Sequence, residues 1–388
     1  MDFLLSDDQR ALQDAVARIA ARFDETYWLA RDREGGYPAE FADAMAADGW
    51  LGIAMPEAQG GAGLGITEAA LMMQTVAGGP GAFAAASSIH LNIFGLNPVV
   101  VFGTDDQRAR MLPPIIDGTH RACFGVTEPD AGLDTGSLKT KAVRDGDTYI
   151  VNGRKVWTTN AQSASHILLL ARTTPREDVT KSTDGLSLFY TALDRDYVTV
   201  REIDKMGRKA VDSNEVFIDG LPVPAEDRIG EEGAGFRYLL HGLNPERILV
   251  AAEAIGIARY AIQRAAQYAG ERIVFGRAIG QNQAIQHPLA ESWAELEAAD
   301  LLMLKAAQLY DAGQPCGAEA NAAKYLAAEV AYRACERAVL THGGYGYAKE
   351  FVVERLLREV MIARIAPVSQ QLLLCYIAER VLGMPKSY

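Results

Sequence analysis

Three stretches of this chain carry residue types suited to holding a flat ligand that bears phosphates. In Lys155-Val156-Trp157-Thr158-Thr159-Asn160, Trp157 offers a large apolar face to an aromatic ring system. Thr159, two residues along an expected strand, falls on the same face with a hydroxyl that can reach a ring nitrogen. A core tryptophan beside a surface threonine is the plainer alternative. In Cys123-Phe124-Gly125-Val126-Thr127-Glu128-Pro129-Asp130-Ala131-Gly132, a short apolar run ends in a Thr-Glu-Pro turn. Gly132 permits close backbone approach there, and exposed N–H groups in such a turn bind carbonyl or phosphate oxygens. An ordinary turn reads the same way. Arg272, heading Arg272-Ile273-Val274-Phe275-Gly276, has a guanidinium fork suited to pyrophosphate, or simply ends a helix in solvent. Metal chemistry is not expected. Cys123, Cys316, Cys335 and Cys375 form no CxxC pair and read as free buried thiols in a reducing compartment.

The elements that must position these residues change in texture along the chain. To about Gly118 the sequence is helical, with strong helix formers throughout, a turn-rich interruption at Pro56 to Gly65, and apolar helices over Thr67 to Val76 and around Ile89 to Phe102. From Arg121 to about Gly235, short β-rich runs alternate with turn pairs. Asn152-Gly153 predicts a hairpin between Tyr149-Ile150-Val151 and Lys155-Val156-Trp157. Further strands are expected at His166 to Ala171, Leu186 to Leu193, Val198 to Ile203 and Glu215 to Ile218, with a turn at Asp219-Gly220. From Phe236 onward the pattern is helical again, over Ala251 to Tyr268, Pro288 to Ala312, Ala318 to Leu340 and Phe351 to Val381.

The formal net charge of −12 argues against a nucleic-acid partner, which would demand a basic face. No apolar run approaches the roughly 20 residues of a membrane span. The opening MDFLLSDDQR lacks the basic and apolar regions of a signal peptide, so a cytoplasmic location is expected.

Taken together, these blocks resemble the acyl-CoA dehydrogenase family over nearly the whole chain and in the family's order. Cys123 to Gly132, Lys155 to Asn160, Arg272 to Gly276 with Gln283, and His342-Gly343-Gly344-Tyr345-Gly346 are similar to four family motifs. The resemblance implies an α+β fold: an N-terminal helical domain (1–120), a middle β-sandwich or barrel domain (121–235) and a C-terminal four-helix bundle (236–388). It implies FAD as cofactor, an acyl-CoA thioester as substrate, electron-transfer flavoprotein as electron acceptor, and a homotetramer. By resemblance, Phe124, Val126, Thr127, Trp157 and Thr159 line the flavin ring, and the Gly132 loop nears the pyrophosphate and thioester. Arg272, Phe275, Gln283, Gly343 and Gly344 clasp the adenosine half from a neighbouring subunit. Ser369 and Gln371 fall in the family's last cofactor-contacting stretch.

Two departures accompany the likeness. Leu133 stands where the family usually has serine, and Leu340 where it often has glutamine. More serious, the position after Ile365-Ala366 that bears the catalytic glutamate in many members is Pro367, which has neither a carboxylate nor an N–H. A second subset, of isovaleryl- and long-chain type, carries its base on an earlier helix, and Leu243-Asn244-Pro245-Glu246-Arg247 resembles that pattern. Glu246 is then the base, with Asn244 and Arg247 beside substrate. On the residues alone, Asn-Pro-Glu is also a good helix start, with Asn244 as N-cap and Pro245 in the first turn. In that setting the helix dipole and Arg247 lower the carboxyl pKa, while desolvation raises it. A non-oxidative lyase and a non-catalytic acyl-CoA-binding subunit remain as rival functions.

Overall fold

The computed structural model describes residues 4–387; the first residues of the opening stretch, whose sequence was read as leaderless, lie outside them. The N-terminal part is helical: α1 (Asp7–Ala20), α2 (Glu25–Glu34), α3 (Ala39–Ala47), α4 (Ile66–Ala77), α5 (Ala82–Phe94), α6 (Asn97–Phe102), α7 (Asp105–Met111) and α8 (Pro113–Ile116). α1 starts at a capping box between Ser6 and Gln9, with Asp7 and Asp8 in its first turn. The start of α4 is held from afar, since the Asp311 carboxylate accepts the N–H groups of Ile66 (2.7 Å) and Thr67 (2.9 Å). By length and composition alone, Ala82–Phe102 is a helical stretch long and apolar enough to cross a membrane. Its window is 72% buried inside the protein, which accounts for its apolarity as a core element.

The middle part is one eight-stranded sheet, in the order β6-β7-β3-β2-β4-β5-β8 with β1 paired to β4. The strands are β1 (Ala122–Gly125), β2 (Lys141–Asp145), β3 (Thr148–Thr159), β4 (His166–Arg172), β5 (Leu186–Ala192), β6 (Val198–Glu202), β7 (Ser213–Pro224) and β8 (Arg228–Ile229). The expected hairpin at Asn152-Gly153 does not form, nor does the turn at Asp219-Gly220. Each dipeptide lies inside a long strand, and the two meet across the β3–β7 ladder. Val151 pairs with Leu221 and Gly153 with Ile218, so Asn152 faces two residues of β7 in a bulge. Gly220 adopts φ +69° there, and its N–H donates to Asn152 Oδ1 at 2.8 Å. Gly153 is needed for closeness, because a Cβ on it would lie 2.3 Å from Thr140 Oγ1. Turn-forming residues thus serve a bulge, and local chemistry alone cannot separate the two uses.

The C-terminal part is built on α9 (Gly235–Glu271), 37 residues long, which packs on α4 and α5 and on α10 (Gln283–Asp311), α11 (Gly317–His342) and α12 (Val353–Val360). α9 does not begin at Asn244-Pro245. It begins at Gly235, and Pro245 sits buried in its interior. A proline there removes one helical hydrogen bond, and packing on both flanks overrides that local stop signal. The segment expected as one helix over Phe351 to Val381 is three: α12, α13 (Ile362–Ile365) and α14 (Gln370–Arg380). The last break falls at Ala366-Pro367-Val368, where proline cannot continue a helix.

Candidate active site

A cavity of about 610 Å³ is lined from one side by Phe124, Val126, Thr127, Gly132, Leu133, Val156, Trp157 and Thr159, and from the other by residues of α5, α9 and the α13–α14 segment. The sheet side is set by a buried ion pair. Lys155 Nζ donates to Glu128 Oε1 at 2.9 Å and to the Val126 carbonyl at 3.1 Å. Glu128 also accepts the N–H groups of Lys139 (2.6 Å) and Thr140 (2.9 Å). Burial pushes the Glu128 carboxyl up, but Lys155 and these donors outweigh it and hold it below its usual range. Val156 N–H donates to the Thr127 carbonyl at 2.9 Å, so the turn after β1 is fastened to β3.

β3 carries a second bulge beside this lock. Lys155 pairs with Val216 and Thr158 with Asn214, leaving Val156 and Trp157 opposite Glu215 alone. Trp157 takes φ +59°, a conformation costly for a bulky residue and typical of bulges that re-aim a side chain. The strict alternation expected from Trp157 to Thr159 is therefore broken, although both still face the cavity. The indole is 59% exposed, so a large aromatic face stands uncovered. At Gly132, nothing lies within 4 Å of where a Cβ would be.

From the helical side, α9 brings Glu246 and Arg247 into the cavity. Glu246 is 9% exposed, and its Oε2 is buried with no hydrogen-bond partner among the described residues. Burial raises its pKa to about 7, against the opposing pull of His90, Arg247 and Lys324. The expected helix-terminus effect is absent, because Glu246 lies three full turns into α9, beyond the reach of its dipole end. Arg247 Nη1 donates to Asn244 Oδ1 at 3.0 Å, so Asn244 orients the guanidinium and is not an N-cap. Pro367 and Val368 also line the cavity, and the Val368 carbonyl accepts from Lys324 Nζ at 2.8 Å.

These features match known sequences part by part. Residues 6–119, 123–221 and 233–382 correspond in turn to the N-terminal, middle and C-terminal domains of acyl-CoA dehydrogenases. The chain belongs to the acyl-CoA dehydrogenase family. It is 36% identical to acyl-CoA dehydrogenase FadE12 of Mycobacterium tuberculosis, over 100% of this chain and 99% of that protein. The structure of butyryl-CoA dehydrogenase from Megasphaera elsdenii superposes with a TM-score of 0.93 at 31% identity, covering 98% of this chain and all of that one. The FAD complex of PigA superposes at 0.92 with 26% identity, covering 99% of each chain.

This acyl-CoA dehydrogenase relative is an FAD-dependent oxidoreductase acting on CH–CH groups. The uncovered indole of Trp157, the Thr159 hydroxyl and the open backbone at Gly132 fit an isoalloxazine and its phosphates. The second set of cofactor candidates lies apart from the cavity. Phe275 is 101% exposed with φ +53°. Arg272, Gln283, Gly343 and Gly344 are also exposed, and the Arg272 guanidinium lies over Tyr345, 5.4 Å from its centroid. Ser369 is committed to the N-cap of α14, and Gln371 is exposed; neither lines the cavity. Sequence reasoning missed His90, Arg208, Glu253 and Lys324, all buried or half-buried around Glu246. A lone glutamate inside Ile248 to Ala258, otherwise free of charge, was the one available signal.

Proposed function

We propose that the chain dehydrogenates an acyl-CoA thioester to the 2,3-enoyl-CoA, with Glu246 taking the α-proton. The observation that carries this reading is the buried, unpartnered Oε2 of Glu246 facing the cavity, with a carboxyl whose pKa is about 7. A base poised near operating pH combines availability with proton-transfer driving force. The thioester acidifies Cα, the carboxylate removes its proton, and bound FAD supplies the acceptor for hydride from Cβ. Arg247, oriented by Asn244, holds positive charge beside the carboxylate and favours its ionised form. Pro367 offers no competing base, which supports Glu246 by elimination within the family's two known base positions.

Electron-transfer flavoprotein is the acceptor this reading implies. Arg272, Phe275, Gln283 and the Gly343-Gly344 turn are exposed and do not line their own cavity, an arrangement that supports their serving FAD in a second copy of the chain within a homotetramer. Arg272→Ala is then expected to weaken FAD retention and loosen the oligomer together.

The deciding experiment is stopped-flow flavin bleaching by acyl-CoA thioesters, wild type against Glu246→Gln. The amide keeps the shape and removes the basicity. FAD content and folding are expected to persist while flavin reduction falls by at least ~10². Near-equal rates would defeat the assignment and favour a non-oxidative role.

A further inference from the structure

Past Glu246 the cavity turns polar. Ser87 and His90 of α5, Arg208 of the β6–β7 connection and Glu253 of α9 all line it. Glu253 follows Glu246 by seven residues. Seven residues are close to two full turns, so it lies on the same face of α9, about 10 Å further along. His90 Nδ1 donates to Glu253 Oε1 at 2.5 Å, and both side chains are buried. Its Nε2 has no partner among the described residues. Burial opposes charge on this imidazole, but the Glu253 carboxylate outweighs it and holds His90 above its usual range. With Nδ1 turned to Glu253, the other ring nitrogen belongs to a cavity-lining residue, and in the charged imidazole it is a donor.

Arg208 stands beside this pair. Its Nη1 donates to Ser87 Oγ at 2.9 Å, and Nε and Nη2 donate to nothing among the described residues. The two carboxylates whose charge it feels, Glu359 and Glu253, are both committed elsewhere. Glu253 holds His90, and Glu359 accepts from Arg355 Nη1 (3.1 Å) and from the Ala84 N–H (3.0 Å). Charges at this end therefore cancel in pairs and leave one guanidinium over, still protonated despite burial. Its backbone is held at φ +56°, a conformation uncommon outside glycine. A plain hydrocarbon tail would strand these donors in an apolar contact, which costs free energy.

We propose that the acyl group of the substrate ends in a carboxylate, received by Arg208 and His90. The proposal rests on the dehydrogenase reading above and names its substrate class: monothioesters of short dicarboxylic acids with CoA. A span of about 10 Å along α9 sets a ceiling of about eight bonds at ~1.2 Å of reach per extended bond. Arg208 and His90 are specificity-determining residues here, with Ser87 fixing the guanidinium. Glu246 performs the same proton removal whatever the tail carries.

Adipyl-CoA and heptanoyl-CoA, of matched length, test it on the flavin-loaded protein. Flavin bleaching at limiting thioester and calorimetric binding are both measured, for wild type, Arg208→Leu and Arg208→Lys. Wild type is expected to favour adipyl-CoA at least tenfold by both readouts. Arg208→Leu collapses that ratio toward one, and Arg208→Lys retains part of it. Equal use of the two thioesters by wild type, or a preference unchanged in Arg208→Leu, overturns the proposal while leaving the dehydrogenase reading intact. Loss of FAD from both variants assigns Arg208 to the cofactor and overturns it as well. If no thioester bleaches the flavin, the dehydrogenase reading fails, and the binding ratio still decides for or against the carboxylate site.

Discussion

Glu128, in the turn after β1, and Glu246, in the middle of α9, are both buried carboxylates, at 6% and 9% exposure. Their surroundings differ in what fills the lone pairs. Glu128 receives Lys155 and two backbone N–H groups, and its carboxyl is held below the usual range. Glu246 keeps an oxygen with no partner, and burial lifts it to about 7. A carboxylate whose hydrogen bonds are complete is committed to structure, because any change of its protonation breaks those bonds. One left incomplete at a cavity wall can accept a proton at little structural cost. On the proposed reading the two regions divide the work: the sheet side fixes a surface for the cofactor, and the helix side keeps a reactive group free.

Exchanging each carboxylate for its amide should separate these roles. The largest effect is expected at Glu246→Gln, the fall of at least ~10² in flavin reduction described above, with no loss of stability. Glu128→Gln should behave in the opposite sense. It leaves the Lys155 ammonium buried without an anion, a change that costs about 3–5 kcal/mol. Urea unfolding of the flavin-loaded protein should show that loss, with FAD retention reduced because the Thr127 to Gly132 turn slackens. Bleaching rate per bound flavin should change far less than for Glu246→Gln. Adding Lys155→Met to Glu128→Gln removes both charges and should recover part of the stability. A double variant as unstable as the single would show that the pair does not act as an ion pair.

The same contrast has a pH signature. Glu246 ionises near 4.5 when unfolded and near 7 in the folded protein. Below the unfolded value both states are protonated and nothing is lost. As pH rises from about 4.5 to about 7 the unfolded state ionises while the folded state stays protonated, so folding stability falls across that interval and levels off above it. Glu246→Gln escapes this loss, and its advantage over wild type should grow to roughly 3 kcal/mol above pH 7. Unfolding of both proteins from about pH 5 to about pH 8 measures it. A constant difference across that range would place the Glu246 pKa at its ordinary value.

Much of this was legible in the sequence because the motifs are local. The strand and turn at Phe124 to Gly132, the Trp157 block and the Glu246-Arg247 pair all line one cavity. What was not legible depends on distant partners. Asn152-Gly153 and Asp219-Gly220 read as turns because a bulge uses the same residue types, and only the β3–β7 register distinguishes them. Pro245 read as a helix start because its local cost is real, while the packing that overrides it comes from elements far away in the chain. His90 and Glu253 are 163 residues apart, and neither is remarkable until they touch.

The smallest predicted effect concerns Asn244, which contacts Glu246 only through Arg247. Asn244 Oδ1 accepts from Arg247 Nη1 at 3.0 Å, whereas Arg247 Nε is buried without a partner. The guanidinium is therefore held by few contacts, and Asn244 is its one side-chain hydrogen bond among the described residues. Arg247 is also among the charges that draw the Glu246 pKa down from where burial alone would put it. Asn244→Ala should let the guanidinium drift. Substrate binding then weakens several-fold, a fraction of the roughly 1.5–3 kcal/mol worth of one hydrogen bond to a charged group. The Glu246 carboxyl, less stabilised as an anion, should titrate higher, so the pH profile of flavin reduction shifts upward by a fraction of a unit. Asn244→Asp should shift it in the same direction, since a second anion disfavours ionisation of the first. A merely structural asparagine would lower stability and leave the profile where it is, and that result would remove Asn244 from the positioning of the base.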